Sequence, residues 1–134
     1  MVIKIIFYIN IFIFSCINIC FADNLSKPRY SGKNYLKNYA LSSCIANGYK
    51  NNEIVNDSSA AASGYLELGN FPIEAYTETF SLSKKFLAKE YKSITSEKLI
   101  LMKCIDFYHS KALSQIIRKY AKKLYKKKKE KHIK

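Results

Sequence analysis

The chain has 134 residues, 49% of them hydrophobic, and a formal net charge of +13 at pH 7. A chain of this length suits one domain with a single core. Residues 118–134 hold ten Lys or Arg and one acid, so most of the positive charge belongs to the C-terminal tail. The rest of the chain is only weakly basic, and runs of like charge usually remain solvated. Because the positive charge is confined to a solvated tail and the rest of the chain is only weakly basic, we do not expect a nucleic-acid-binding protein.

Residues 1–22 are typical of a secretory signal peptide. Lys4 supplies the positive start, residues 5–19 are almost continuously apolar, and Cys20 and Ala22 are the small residues that precede a cleavage site. An uncleaved membrane anchor is the alternative, but a span needs about 20 apolar residues and polar residues interrupt this stretch. No lipobox precedes either cysteine of the segment. We predict cleavage after Ala22, export to the periplasm and a soluble mature chain.

A polar leader, residues 23–33, precedes the first of five predicted helices. The first helix covers residues 34–47, and its apolar stripe includes Cys44. The second covers about residues 52–68. Its centre, residues 60–64, consists of small side chains, which favours either a close crossing inside the domain or a contact between two copies of the chain.

The third predicted helix starts around Pro72. Asn70 or Phe71 is expected to cap it, and Pro72 suits its first turn. Apolar residues at helical spacing continue to about Tyr91, where we expect the helix to end.

The fourth helix is predicted to follow a cap at Ser96, with Met102 and Ile105 among its inward-facing residues. The fifth begins near Lys111 and is expected to fray into a disordered lysine-rich tail, residues 126–134. No segment shows the alternating pattern of a strand. The predicted fold class is therefore all-α, a single compact domain of about five helices within residues 34–125.

Two cysteines remain once the signal segment is removed, Cys44 and Cys104. An exported chain with two remaining cysteines, both in helical patterns, favours one disulfide. We predict that this bond joins the first and fourth helices and stabilises the domain by about 4 kcal/mol.

The sequence lacks a catalytic or metal-binding pattern. Cys104, Asp106 and His109 are close in sequence, but a spacing of five residues turns the cysteine and histidine side chains apart on a helix. A disulfide-bonded cysteine is not a nucleophile. The chain has two His and no C-x-x-C, H-E-x-x-H or Gly-rich phosphate loop. We expect a binding protein with no enzymatic activity, no metal and no cofactor.

Residues 53–83 contain five acids and no Lys or Arg. An acidic segment in a basic protein indicates either a surface for a basic partner or an ordinary solvated helix surface.

Three blocks of the sequence, NYLKNYALSSCIANGYK, AAASGYLELGNFPIEAY and KLILMKCIDFYHSKAL, resemble the amidase immunity proteins of type VI secretion systems. They are most similar to the immunity proteins cognate to the fourth amidase effector family, over about residues 34–120. The resemblance implies a periplasmic, all-helical and commonly dimeric protein whose two cysteines match Cys44 and Cys104. It also implies a partner, a peptidoglycan amidase of the NlpC/P60-like cysteine peptidase type, whose active-site cleft the protein blocks.

The turn between the second and third helices is the predicted partner-binding site. Acids without a compensating base flank it, and Phe71 is its apolar residue, so we expect Phe71 to plug the amidase cleft. The alternative is that Phe71 packs onto the third helix as a hydrophobic staple. The predicted binding residues are Glu67, Leu68, Gly69, Asn70, Phe71, Pro72 and Glu74.

A second function is compatible with the same sequence. A secreted cationic helical protein would use the lysine-rich tail to bind anionic envelope or membrane surfaces. Deleting residues 126–134 separates the two functions, because inhibition of the amidase would persist and surface binding would be lost.

Overall fold

The computed structural model describes residues 30–131. The predicted signal peptide, most of the leader and the last three residues lie outside the described residues. Residues 30–131 form five helices and no strand, which confirms the all-α fold class. In chain order the helices are α1 (Gly32–Gly48), α2 (Asn52–Glu67), α3 (Ile73–Leu87), α4 (Ile100–His109) and α5 (Lys111–Lys131).

Side-chain caps define where the first two helices begin. The Ser31 hydroxyl accepts a hydrogen bond from the Asn34 amide at 3.3 Å, so α1 begins two residues before its predicted start. The Asn51 side chain accepts from the Ile54 amide at 3.2 Å and caps α2. Each cap satisfies one of the amide groups that a helix N-terminus leaves without a partner.

The third and fourth helices are both shorter than predicted. α3 ends at Leu87 rather than at Tyr91, and α4 begins at Ile100 rather than after a cap at Ser96. Ser96 and Leu99 have positive φ angles of 61° and 49°, which interrupt a right-handed helix. Residues 88–99 therefore form a twelve-residue connection.

A buried lysine holds the end of α3 against α4. Lys103 is 9% exposed, and its ammonium group donates to the Leu87 carbonyl at 3.1 Å. This bond satisfies a carbonyl that the helix end leaves free. The donor, Lys103, lies on the next helix. The local sequence therefore predicts neither the end of α3 nor this hydrogen bond.

The first helix lies at the centre of the fold and contacts the other four. Leu36, Ala40 and Cys44 on its inner face are fully buried. Cys44 forms a disulfide with Cys104 of α4, with a Cα–Cα distance of 5.6 Å, which confirms the predicted pairing. Phe107, Leu113, Ile116, Ile117 and Tyr120 complete the core from α4 and α5.

The last helix is fixed to α3 through one carboxylate. Lys119 and Tyr120 both donate to Glu78 Oε2, at 2.8 and 2.9 Å. The hydrogen bond from Lys119 lowers the pKa of Glu78, and the Tyr120 hydroxyl adds to that effect. α5 continues to Lys131, whereas a disordered tail was expected from residue 126.

None of the helices within residues 30–131 is long and apolar enough to cross a bilayer.

We expect the double substitution Cys44→Ala and Cys104→Ala to lower the free energy of unfolding by about 2–4 kcal/mol, because the disulfide closes a long loop in the unfolded chain. Urea denaturation measures the loss. A reductant should bring the wild-type protein close to the double variant and leave the double variant unchanged. Equal midpoints with and without the bond would contradict the expected contribution.

Candidate partner-binding surfaces

The turn at residues 67–74 is held tightly by its backbone. The Leu68 amide donates to the Gly64 carbonyl at 3.0 Å, and the Gly69 amide donates to the Leu66 carbonyl at 3.3 Å. Pro72, with extended backbone angles, is the residue that precedes α3, and no side chain caps that helix. The predicted cap at Asn70 or Phe71 was therefore wrong by one or two residues.

Gly69 is required in this turn by a close approach. A Cβ atom there would overlap the Tyr76 hydroxyl and come within 3.0 Å of the Tyr65 carbonyl oxygen. Burial raises the pKa of Tyr76, whose hydroxyl has no hydrogen-bond partner among the described residues. The backbone of Phe71 lies nearby and partly offsets this rise in the pKa of Tyr76. The two groups do not meet the geometry of a hydrogen bond. The turn is thus anchored on the core and is not a mobile arm.

Phe71 does not project from the turn. It is 8% exposed and belongs to the same buried cluster as Ala75 and Tyr76. The expectation of an exposed aromatic plug is wrong, and the alternative, packing onto the domain, describes its place. The exposed apolar side chains of the turn are instead Leu68 and Ile73, at 63% and 61%.

The remaining predicted residues surround this turn. Glu67, Asn70 and Glu74 are exposed. A Cβ on Gly32 would overlap the Asn70 side chain, so the start of α1 and the turn are in close contact. The turn therefore presents two acids and two aliphatic side chains on a fixed backbone.

The connection at residues 88–99 forms a second surface, which is not among the predicted binding residues. Ile94 near its middle is completely exposed, at 106%, more than any other large apolar side chain of residues 30–131 for which exposure is described. The Ser93 hydroxyl accepts from the amides of Thr95 and Glu97, both at 3.2 Å. These bonds order the backbone around Ile94, so the connection presents one aliphatic side chain on a defined loop.

One signal for this loop was present in the sequence. Ile94 stands alone in KSITSEK, with hydroxyl and charged residues on both sides. Its nearest neighbours in sequence are all polar, which is typical of a residue in an exposed loop. The predicted third and fourth helices, one ending near Tyr91 and the other following a cap at Ser96, leave only a short connection here.

The outer face of α4 is apolar and lies beside this loop. Leu101, Met102 and Ile105 are 50%, 51% and 44% exposed. Together with Tyr49, Leu99 and Ile100 they line a groove of about 600 Å³, and the charged residues Glu97 and Lys98 also line it. Phe107, which is fully buried, lies on the opposite side of the helix.

This arrangement corrects the predicted orientation of α4. Met102 and Ile105 were expected to face inward, but the disulfide turns Cys104 toward α1. Phe107 then shares the buried face with Cys104, and it packs against Phe86 at 5.3 Å between ring centroids. Because both sides of α4 are apolar, periodicity alone did not distinguish the buried side from the exposed one.

The acidic segment does not form one surface. Glu53 and Asp57 border a groove of about 370 Å³ between α1 and α2. Glu67 and Glu74 flank the turn, and Glu78 is paired with Lys119. The excess of acid is spread along two helices rather than focused on one site.

The residues that resembled a catalytic group are used in other ways. Cys104 is bonded to Cys44, and Asp106 accepts a hydrogen bond from the Tyr91 hydroxyl at 2.5 Å. The ring of His109 stacks edge-on against Tyr108, with centroids 5.0 Å apart. Within residues 30–131 no cluster of three or more His, Cys, Asp or Glu is arranged to hold a metal ion.

Comparisons with known proteins agree on one family. A family model described as type VI secretion system (T6SS), amidase immunity protein, Tai4, matches residues 34–117. The chain is 42% identical to a chain in a solved structure of the effector–immunity system Tae4/Tai4 from Salmonella typhimurium, selenomethionine variant. The TM-score is 0.64, and the match covers 66% of this chain and 88% of that chain. No curated protein sequence matches.

Two further solved structures are similar in fold. One is the type VI effector–immunity complex Tae4–Tai4 from Enterobacter cloacae, at 19% identity and a TM-score of 0.61, covering 67% of this chain and 92% of that chain. The other contains Tae4 from Salmonella typhimurium with Tai4 from Enterobacter cloacae, at 19% identity and a TM-score of 0.61, covering 67% and 93%.

We expect Gly69→Ala to lower the free energy of unfolding by about 1–3 kcal/mol, because the added methyl group meets the Tyr76 hydroxyl and the Tyr65 carbonyl. Gly64→Ala is the matched control. A Cβ at Gly64 meets nothing within 4 Å, and replacing a glycine inside a helix should stabilise by about 0.5–1 kcal/mol. Urea unfolding compares the two variants. Shifts of the same sign would contradict the close packing described for the turn.

Proposed function

We propose that this chain, which belongs to the family of type VI secretion system amidase immunity proteins, binds a peptidoglycan amidase effector and covers its active-site cleft. Members of this family confer immunity and are not enzymes, which agrees with the expectation from the sequence. The observation that carries the proposal is the family match, which spans α1 to α4 and the start of α5. The partner proposed from the resemblance is a cysteine peptidase of the NlpC/P60-like type.

We also propose that the chain reaches the periplasm, where amidase immunity proteins act, through a signal peptide that is cleaved after Ala22. Two features support this route: the apolar run at residues 5–19 and the Cys44–Cys104 disulfide, which persists in oxidising compartments. N-terminal sequencing of the protein from a periplasmic extract tests the cleavage site. A first residue other than Asp23 would contradict it.

The loop at residues 88–99 is the better candidate for entering the amidase cleft. Ile94 is fully exposed, whereas Phe71, the residue first expected to do this, is buried in the core. A loop ordered before binding loses less conformational entropy when it binds. An aliphatic side chain that is buried in a cleft also gains the stabilisation of an interface anchor.

The turn at residues 67–74 is proposed as a second contact. Leu68 supplies its exposed apolar area, and Glu67 and Glu74 supply negative charge for basic groups on the partner. Such charges at the edge of an interface affect the rate of association more than the affinity.

We expect Ile94→Ala to weaken binding to the cognate amidase by about 2 kcal/mol, close to a thirtyfold rise in Kd, because the side chain would lose its contacts in the cleft. The triple variant Glu67→Ala, Leu68→Ala and Glu74→Ala tests the turn in parallel and omits the buried Phe71. Isothermal titration gives the affinities, and thermal unfolding confirms that each variant is folded.

Ile54→Ala is the matched control for this experiment. Ile54 is a partly exposed aliphatic residue on α2, at 37%, outside both surfaces. Its substitution should leave Kd unchanged. If Ile94→Ala binds like the control while the triple variant binds weakly, the turn and not the loop enters the cleft. If all three variants bind like wild type, neither surface is the contact.

We further propose that two copies of the chain associate through the outer face of α4. Leu101, Met102 and Ile105 place three half-exposed apolar side chains on one helix face, and contiguous apolar surface of this kind commonly marks an interface. The small residues 60–64 of α2 were the earlier candidate. They offer less apolar area, although Gly64 has open space around it.

Met102→Glu combined with Ile105→Glu is expected to convert a dimer into a monomer, because two charges would be desolvated at the centre of the contact. Light scattering coupled to size exclusion measures the mass. Ala60→Glu is the control on α2 and should leave the dimer intact. A monomeric wild-type protein, or a dimer lost only in Ala60→Glu, would contradict the assignment to α4.

A further inference from the structure

The C-terminal half of α5 carries a line of cations on one side. Arg118, Lys122, Lys126 and Lys129 follow one another at spacings of four, four and three residues. On an α-helix these positions fall within about 80° of arc and extend over about 16 Å of the axis. All four residues are exposed. We call this set the basic stripe.

The basic stripe lies on the side of α5 that the fold does not use. Leu113, Ile116, Ile117 and Tyr120 are buried against the other helices, and their helical positions are roughly opposite the stripe. The side of α5 that contacts the domain and the side that carries the stripe are therefore separate. A partner can cover the stripe without any change in the core.

The charges of the stripe are not neutralised within the described part of the chain. The ion pair that α5 makes with α3 joins Lys119 to Glu78. Lys119 lies beside the basic stripe and is not part of it. No stripe residue forms an ion pair within residues 30–131 as described. Glu130 is the single acid of residues 118–134. Four like charges at this spacing repel one another, so an anionic surface that covers them is stabilising.

An aromatic side chain borders the stripe. Tyr125 is 73% exposed and lies three residues after Lys122 and four before Lys129, next to both on the helix surface. Tyrosine is enriched where proteins meet the interface of a bilayer, because its ring is apolar and its hydroxyl is polar. Basic residues beside an aromatic ring are typical of helices that lie on an anionic bilayer surface.

We propose that the basic stripe binds the surface of an anionic phospholipid bilayer, with Tyr125 entering the headgroup region. A straight row of flexible cations without a shaped pocket suits a continuous sheet of phosphate groups better than a discrete ligand. A stripe without a deep apolar face gives weak, reversible and salt-sensitive binding. This property goes beyond the proposed function and does not require the amidase; only the membrane concerned depends on the proposed export.

Vesicle flotation tests the proposal with protein purified from a periplasmic extract. The probes are vesicles of equal parts phosphatidylglycerol and phosphatidylcholine, and vesicles of phosphatidylcholine alone. The stripe variant carries Lys122→Glu, Lys126→Glu and Lys129→Glu. The control variant carries Lys50→Glu, Lys84→Glu and Lys85→Glu, which changes the net charge equally at exposed sites outside α5 and outside both proposed amidase contacts.

Wild-type and control proteins are expected to float with the anionic vesicles at low salt and to float with them in part at physiological salt. Neither protein should float with the neutral vesicles. The stripe variant should lose at least about tenfold in partitioning, since each lysine near an anionic surface contributes substantially to binding. Equal losses in both variants would show a general effect of net charge and overturn the proposal. No flotation of the wild type at physiological salt would overturn it as well.

Two further measurements separate this proposal from its alternatives. Binding to a short DNA duplex as tight as binding to anionic vesicles would show unselective capture of polyanions and overturn the lipid assignment. Inhibition of the amidase is measured on the same variants, and the stripe variant should inhibit like wild type. Loss of flotation with intact inhibition assigns the stripe to the membrane, whereas loss of inhibition in the stripe variant would place the stripe in the amidase interface and overturn the proposal.

Discussion

The disulfide between Cys44 and Cys104 is the constraint on which the arrangement of this domain depends. It joins the central helix to the shortest one, α4, and turns Cys104 and Phe107 toward the core. With that side of α4 buried, the apolar side chains on its other face have no place in the core and remain at the surface. The same bond holds α4 beside the end of α3, where Lys103 donates to the Leu87 carbonyl. The disulfide thus fixes which side of α4 faces the core, and the apolar side chains on the other side remain exposed.

The two candidate contacts with the amidase differ in how they are built. The turn at residues 67–74 is tied to the core by Phe71 and by the contact between Gly69 and Tyr76, so its shape follows from the core. The loop at residues 88–99 is ordered mainly by its own hydroxyl groups and exposes Ile94 entirely. A partner meets a fixed acidic edge in the first case and a protruding aliphatic side chain in the second.

Much of the fold could be predicted because it depends on local patterns. Periodicity located α1 and α2, and the count of two cysteines outside the signal segment identified the disulfide. The end of α3 could not be predicted, because it depends on a hydrogen bond from Lys103, sixteen residues away in sequence. Phe71 illustrates a second limit, since an aromatic residue in a turn has the same sequence signature whether it projects or packs. The exposed side of α4 could not be predicted because apolar residues occur on both sides of that helix.

The disulfide also divides the chain into two parts with different constraints. Its partners are 60 residues apart, and the ring that it closes contains α2, α3, the turn at residues 67–74 and the loop at residues 88–99. α5 lies outside that ring; it packs on the core and is hydrogen-bonded to α3 through Glu78. Substitutions on the outer side of α5 can accumulate without altering the closed ring or the surfaces it carries.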